Sequence, residues 1–161
     1  MNYTVRTAQP ADLTRILEIY AYARKFMAEH GNPTQWGTNK PGEALLRQDI
    51  GQQRLQVATC GEEIHGVFYF FIGEDPTYHR IVDGSWMSEA PYGTIHRVAS
   101  DGSGGVFPAC LQWCLERTRH LRIDTHRDNL VMQHVVQKHG FSRRGIIFVE
   151  DGSERIAFER L

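Results

Sequence analysis

The sequence has few cysteines and no long apolar run, and each shortage excludes a class of protein. Its 161 residues include three cysteines, Cys60, Cys110 and Cys114, and this odd number makes a framework of disulfide bonds unexpected. Cys110 and Cys114 are spaced to share a helix face, but no third and fourth ligand follow at a recognisable spacing. We therefore interpret them as buried apolar residues and predict no metal site. The longest apolar run, residues 66–73, is far too short to cross a bilayer.

The sequence also lacks an excess of charge of either sign. Eighteen basic and 19 acidic residues give a net charge of -1 and are mixed along the chain. This balance provides no electrostatic footprint for nucleic acid or for an anionic membrane, so neither is an expected partner. The first residues lack the basic and apolar segments of a signal peptide, so the cytoplasm is the expected compartment. The length and the 41% hydrophobic content fit one globular domain over residues 1–161.

Hydrophobic periodicity predicts a mixed α/β fold with the element order β-α-α-β-β-β-α-β-α-β-β. Pro10 opens the first helix. Asn129 is placed to cap the last helix, and Gly140 to end it in the left-handed conformation. Since a helix connects the strands predicted at 94–99 and 121–125, these two strands should be parallel.

A glycine-containing turn follows the first of these two strands. Residues 100–105 read Ser-Asp-Gly-Ser-Gly-Gly and precede a predicted helix. Glycines allow several N–H groups to point at one place, and a helix N-terminus favours an anion, so the turn suits a phosphate group. Any tight strand–helix connection needs similar residues, and the turn alone does not decide between these interpretations.

Together with the element order, two motifs resemble the GNAT superfamily of acyl-CoA-dependent N-acetyltransferases, and the resemblance covers essentially the whole chain. The family's most recognisable segment is a strand followed by Gln/Arg-x-x-Gly-x-Gly/Ala and a helix, which corresponds here to Ser100-x-x-Ser103-x-Gly105. The second landmark is an Asn, a helix and then Gly-Phe, which corresponds to Asn129 and residues 140–141. The resemblance implies a GNAT-like fold with a central splayed mixed sheet.

The resemblance also implies acetyl-CoA as co-substrate. Family members bind the pyrophosphate on loop amides, here residues 103–106, and lay the pantetheine arm along the preceding strand, here residues 97–99. The thioester then lies in the gap between the parallel strands, and Asn129 contacts the arm or orders the loop. The predicted coenzyme-binding residues are Arg97, Val98, Ala99, Ser103, Gly104, Gly105, Val106 and Asn129.

One departure from the family pattern affects the chemistry. Many family members carry a Tyr that protonates the leaving thiolate at the position of Val136, which has no proton to give. Strand alternation places His96 on the face that should line the gap, with Asp124 or His126 converging from the neighbouring strand. We predict His96 as the base and Asp124 as the group that orients it. The alternative is that His96 and Asp124 only tie the sheet together by hydrogen bonds.

Aromatic residues in predicted loops are candidates for the acceptor pocket, and the alternative for Trp36 and Trp86 is that they plug the open end of the sheet. The predicted substrate-binding residues are Trp36, Tyr78, Trp86, Tyr92 and His126.

We therefore predict an N-acetyltransferase that moves an acetyl or longer acyl group to a primary amine of a small molecule, amino acid or peptide. Because Val136 cannot act as the acid, a catalytically silent CoA-binding or regulatory protein is the alternative. A P-loop is disfavoured, since no Lys follows Gly104 and Gly105. The prediction leaves the acceptor open and allows a homodimer.

Overall fold

The computed structural model describes residues 2–161, in which one seven-stranded sheet carries helices on both faces. The strands are β1 (Thr4–Thr7), β2 (Leu55–Cys60), β3 (Glu63–Ile72), β4 (Gly93–Ser100), β5 (Leu121–Thr125), β6 (Ser142–Phe148) and β7 (Glu154–Arg160). The helices are α1 (Leu13–Glu29), α2 (Glu43–Gly51), α3 (Val106–Leu115) and α4 (Leu130–Lys138), with short 3-10 turns at Pro10–Asp12 and Pro76–Tyr78. The mixed α/β class and the predicted element order are confirmed.

The sheet order is β1-β2-β3-β4-β5-β7-β6, and β4 and β5 form its one parallel pair within residues 2–161. Their pairing ends at Ile95 opposite Ile123, although both strands continue beyond that point. The backbone of Arg97 has a φ of 53°, and the register between β3 and β4 shifts beside it. Such a bulge bends its strand and strengthens the local twist. The two parallel strands therefore separate at their carboxyl ends, as the predicted splay requires.

Two apolar clusters fill the space between the sheet and the helices. One joins α3 and α4 to strands β2–β7, and includes Cys110, Cys114 and the fully buried Val136. The other packs α1 and α2 on β2 and β3. Both cysteines of α3 are buried, as predicted, and burial raises the pKa of Cys110 to about 12. Residues 2–161 contain no group of three or more His, Cys, Asp or Glu side chains suited to a metal, and none of their helices is long and apolar enough to span a membrane.

The ends of α4 follow from local chemistry. Asn129 Oδ1 accepts a hydrogen bond of 3.0 Å from the amide of Met132, which satisfies one of the free donors at the helix start. Gly140 has a φ of 90° just beyond the last turn, a conformation that glycine adopts without steric cost. Both predictions for this helix are confirmed.

Candidate active site

A cleft of about 740 Å³ opens where β4 and β5 separate. The strands form its floor, α2 and the loop before it form one wall, and the turn between β6 and β7 forms the other. Charged side chains of both signs line it. The carboxyl end of a parallel strand pair is where open α/β sheets commonly bind ligands, so this cleft is the candidate active site.

His96 lies on the floor of the cleft between two carboxylates. Its Nε2 is 2.5 Å from Asp75 Oδ2, and its Nδ1 is 3.4 Å from Asp124 Oδ1. Burial alone would lower the pKa of His96, but the hydrogen bonds and negative charges of Asp124 and Asp75 outweigh it and raise the pKa to about 9. Burial also opposes ionisation of Asp75, yet the bond from His96 lowers the pKa of that carboxyl to about 2. At neutral pH the three groups are therefore an imidazolium between two carboxylates, with a net charge of -1.

Asp124 has one oxygen held and one oxygen free. The hydroxyl of Tyr78 donates a hydrogen bond of 2.6 Å to Asp124 Oδ1, the same oxygen that faces His96. Asp124 Oδ2 has no hydrogen-bond partner within residues 2–161, and it is not sealed from solvent. The Asp124 side chain lines the cleft and keeps 10% of its surface exposed. The site thus presents one fixed, accessible carboxylate oxygen where the strands separate.

Toward β2 and β3, the cleft is lined by two guanidinium groups and one carboxylate. Arg97 Nη2 donates to Asp49 Oδ2 at 2.7 Å, and the Arg97 guanidinium lies 4.6 Å from the ring centre of Tyr69. Burial raises the pKa of Asp49, although Arg97 partly offsets this effect. Arg54 lies 3.7 Å over the ring of Phe71. Arg54 Nη1 donates to the hydroxyl of Tyr69 at 3.3 Å.

The glycine turn before α3 leaves two backbone amides free. Gly104 and Gly105 N–H groups have no hydrogen-bond partner in residues 2–161, and Gly105, with a φ of 79°, lies at the N-cap of α3. A Cβ on Gly104 would meet no atom within 4 Å. Free amides beside open space at a helix N-terminus suit a phosphate group.

The structure corrects one part of the predicted loop, because the amide of Ser103 is not free. It donates to Asp101 Oδ1 at 3.1 Å. The other oxygen of Asp101 is held by Arg15 at 2.9 Å and by His65 at 2.8 Å. Burial opposes ionisation of Asp101, but hydrogen bonds from Ser103 and His65 outweigh it and lower the pKa of this carboxyl. Asp101 therefore occupies the amide of Ser103, and the first accessible backbone N–H group of the turn is that of Gly104.

Comparisons with known proteins identify the architecture. No family model matches the sequence and no curated protein matches it, but many solved structures do. A GNAT-family acetyltransferase of Streptococcus agalactiae is 24% identical and covers 99% of this chain and 95% of its own, with a TM-score of 0.89. The chain has the GNAT fold. A GNAT superfamily phosphinothricin acetyltransferase of Sinorhizobium meliloti, solved in complex with AcCoA, is 18% identical over 99% of this chain and 88% of its own, with a TM-score of 0.64.

Within this GNAT fold, the predicted coenzyme-binding residues occupy three different environments. Arg97, Val98 and Asn129 line the cleft. Asn129 Nδ2 also donates to Gln35 Oε1 at 3.1 Å, so its side chain links α4 to the loop after α1. Ala99 instead faces the apolar core and is 5% exposed. Of the turn, Gly104 and Gly105 are open, whereas Val106 is buried at the start of α3.

The predicted acceptor residues mostly lie outside the cleft. Trp36 lines it and packs edge-on against Tyr20. Tyr78, Trp86 and Tyr92 instead form an apolar cluster within the loop before β4. The guanidinium of Arg122 lies 4.0 Å from the ring centres of both Trp86 and Tyr92.

His126 also lies outside the cleft lining. Strand alternation placed it beside Asp124, but β5 ends at Thr125, so the alternation does not continue. His126 Nε2 is 3.4 Å from Thr34 Oγ1, and its Nδ1 accepts a hydrogen bond from the amide of Asp128. Burial is the main cause that lowers the pKa of His126.

The structure brings His96 and Asp124 together, as predicted, and adds three residues that the sequence reasoning missed: Asp75, Tyr69 and Arg54. Asp75 was a detectable candidate, since an Asp followed by Pro76 and Thr77 is typical of a capped turn. Its carboxylate does accept hydrogen bonds from the amide and hydroxyl of Thr77. Nothing in the local sequence indicated that this turn contacts His96, which is 21 residues away.

Proposed function

We propose that the protein transfers an acyl group from acyl-CoA, with acetyl-CoA as the simplest donor, to the amine of a small molecule, amino acid or peptide. The observation that carries this proposal is the accessible carboxylate of Asp124 beside His96, at the point where β4 and β5 separate. The GNAT fold supports acyl transfer in general. The acceptor and the roles below are inferred from the residues of the cleft.

The residues present fit the coenzyme. The amides of Gly104 and Gly105 would hold the pyrophosphate at the N-terminus of α3, where the helix dipole favours negative charge. The edge of β4 beyond Ile95 is not paired with β5, so it can pair with the amides of the pantetheine arm at Val98. When bound, acetyl-CoA supplies the thioester, and its carbon–sulfur bond breaks as the acceptor nitrogen bonds to the carbonyl carbon.

Asp124 is the group that receives the acceptor. Its Oδ2 is free, and the cluster around it has a net charge of -1, so an ammonium ion is attracted to this point. The hydrogen bond from Tyr78 holds the carboxylate in place. The ammonium must lose two protons during transfer, one before attack and one afterwards. Asp124 orients the nitrogen while the first proton leaves to solvent.

His96 holds the proton that the departing sulfur needs. Its pKa of about 9 lies close to that of a thiol, about 8.5, so proton transfer between them is nearly balanced in energy. Of the two contacts between His96 and carboxylates, the one from Nδ1 to Asp124 is the longer. The proton on Nδ1 is therefore easier to transfer than the proton on Nε2. The second proton of the ammonium then restores His96. This role differs from the predicted general base, since His96 is already protonated at neutral pH.

The alternative is a CoA-binding protein without catalysis, and one observation favours it. Val136, where many family members have a Tyr, is fully buried in the core, so no acid reaches the cleft from that position. The two functions differ in one measurement. Incubation with acetyl-CoA and a panel of amines should release free thiol if the protein is an acyltransferase, whereas calorimetric binding of CoA without any thiol release would support the silent protein.

A further inference from the structure

The floor of the cleft is divided into two patches of opposite charge. On the β5 side, His96 between Asp75 and Asp124 forms the anionic patch. On the β3 side, Arg54 and Arg97 face the single carboxylate of Asp49, and these three residues form the cationic patch, with a net charge of +1. At the rim, Lys40 and Arg155 balance Glu150 and Asp151. The charge separation is therefore a property of the floor.

Arg54 is the unpaired member of the cationic patch. Arg97 is bound to Asp49, whereas Arg54 forms no ion pair with any carboxylate in residues 2–161. Its guanidinium carbon lies 3.7 Å over the ring of Phe71, and one nitrogen donates to the hydroxyl of Tyr69. Its remaining N–H groups have no protein partner and border the cleft. A guanidinium is planar and presents a rigid fork of donors, which matches a carboxylate, and its contacts with Phe71 and Tyr69 restrict where this fork can lie.

The two patches lie along one row across the sheet. Tyr69 is opposite His96 in the β3–β4 register, and Leu55, which follows Arg54, is opposite Tyr69 in the β2–β3 register. Two strand spacings of about 4.8 Å separate the backbones of Arg54 and His96 by roughly 10 Å. Asp124 lies on the far side of His96, where β4 and β5 no longer pair. The Arg54 guanidinium reaches the hydroxyl of Tyr69, whose ring centre lies 5.5 Å from that of His96, so the side chain shortens this span. Because both side chains line the cleft within this span, the gap between the Arg54 guanidinium and the Asp124 carboxylate suits a short zwitterion better than a long polyamine.

We propose that the acceptor is a zwitterionic amino acid, whose ammonium binds Asp124 and whose carboxylate binds Arg54. This inference rests on the acyl transfer proposed above and names its substrate class. A zwitterion matches the floor at both ends. A diamine would place its second cation beside Arg54, and an uncharged amine would leave the guanidinium without a partner, so both are disfavoured.

The test compares free amino acids with their carboxamides, which keep the amine and lose the negative charge. Steady-state thiol release at saturating acetyl-CoA should give the free acids a kcat/KM about 10 to 10²-fold higher, the scale of a charge-assisted pair. Arg54→Gln should lower kcat/KM for the acids by this factor, mainly through KM, and leave the carboxamides unchanged. Arg54→Lys should give a smaller loss, because it keeps the charge without the fork.

Arg117→Gln is the matched control. Arg117 lies 3.5 Å over the ring of Trp113, after the end of α3 and outside the cleft lining, so this variant should change neither class of acceptor. Carboxamides that react as well as the acids, or an Arg54→Gln variant that weakens both equally, would overturn the inference and leave acyl transfer standing. If no amine of the panel releases thiol, acyl transfer itself fails, and the inference fails with it. The wild-type comparison decides the question even if Arg54 variants fold poorly.

Discussion

The proton on His96 makes the stability of the fold depend on pH, and the size of this effect follows from the structure. In the unfolded chain a histidine has a pKa of about 6.5, whereas His96 between Asp75 and Asp124 has a pKa of about 9. This difference corresponds to roughly 3 kcal/mol in the free energy of unfolding. Because the folded-state pKa is the higher one, the stabilisation is complete below pH 6.5, declines as the pH rises, and is lost above pH 9.

Urea unfolding at pH 6, 7.5 and 9.5 measures this contribution, provided that the slope with denaturant stays constant. The wild type should lose about 3 kcal/mol more between pH 6 and pH 9.5 than the His96→Gln variant, in which the titrating group is absent. Asp75, with its pKa of about 2, stays ionised across this range and does not contribute to the slope. His79→Gln is the control, since that side chain is 59% exposed and lies outside the cluster. Equal losses in the wild type and in His96→Gln would refute the assignment of a protonated His96.

Three other substitutions test the turn, the helix end and the carboxylate. Gly104→Ala should keep the fold, because its Cβ would meet no atom within 4 Å. The added methyl group should fill the space over the free amides and weaken calorimetric binding of CoA at least about tenfold. Unchanged affinity would place the phosphates elsewhere. Gly140→Ala should lower the free energy of unfolding by about 1 kcal/mol or more, given the φ of 90° and Arg160 Nε at 3.1 Å from the new Cβ; an unchanged urea midpoint would contradict this. Tyr78→Phe removes the hydrogen bond to Asp124 and should lower the free energy of unfolding by about 1–2 kcal/mol. It should also lower kcat without changing the KM for acetyl-CoA. An unchanged kcat would show that Asp124 does not need this hydrogen bond.

The sequence predicted the parts of the fold that depend on neighbouring residues. The Asn129 cap and the Gly140 helix end are local, so residue type alone indicates them. The convergence of His96 and Asp124 was also predictable, because strand alternation and the parallel pair bring them to one place. Alternation gave a wrong position for His126, since β5 ends one residue before it.

The rest of the site depends on contacts between distant segments. Asp75 reaches His96 from a loop, and Arg54 reaches Tyr69 from the start of another strand. The loop amide of Ser103 is occupied because Asp101, fixed by Arg15 of α1, turns toward it. Each of these contacts depends on how the chain packs, and no periodicity in the sequence encodes it.

Free thiol release from acetyl-CoA is the most direct test of the proposed function. With a panel of amino acids, amino acid carboxamides and simple amines, the wild type should release thiol in proportion to the acetylated amine that mass spectrometry detects. Asp124→Asn should reduce kcat/KM by at least about 10²-fold, since it removes the charge that receives the ammonium, and CoA should bind this variant in calorimetry as it binds the wild type. Thiol release from the wild type together with an acetylated amine product is the result that the proposal predicts. CoA binding without acetylation of any amine in the panel would contradict it.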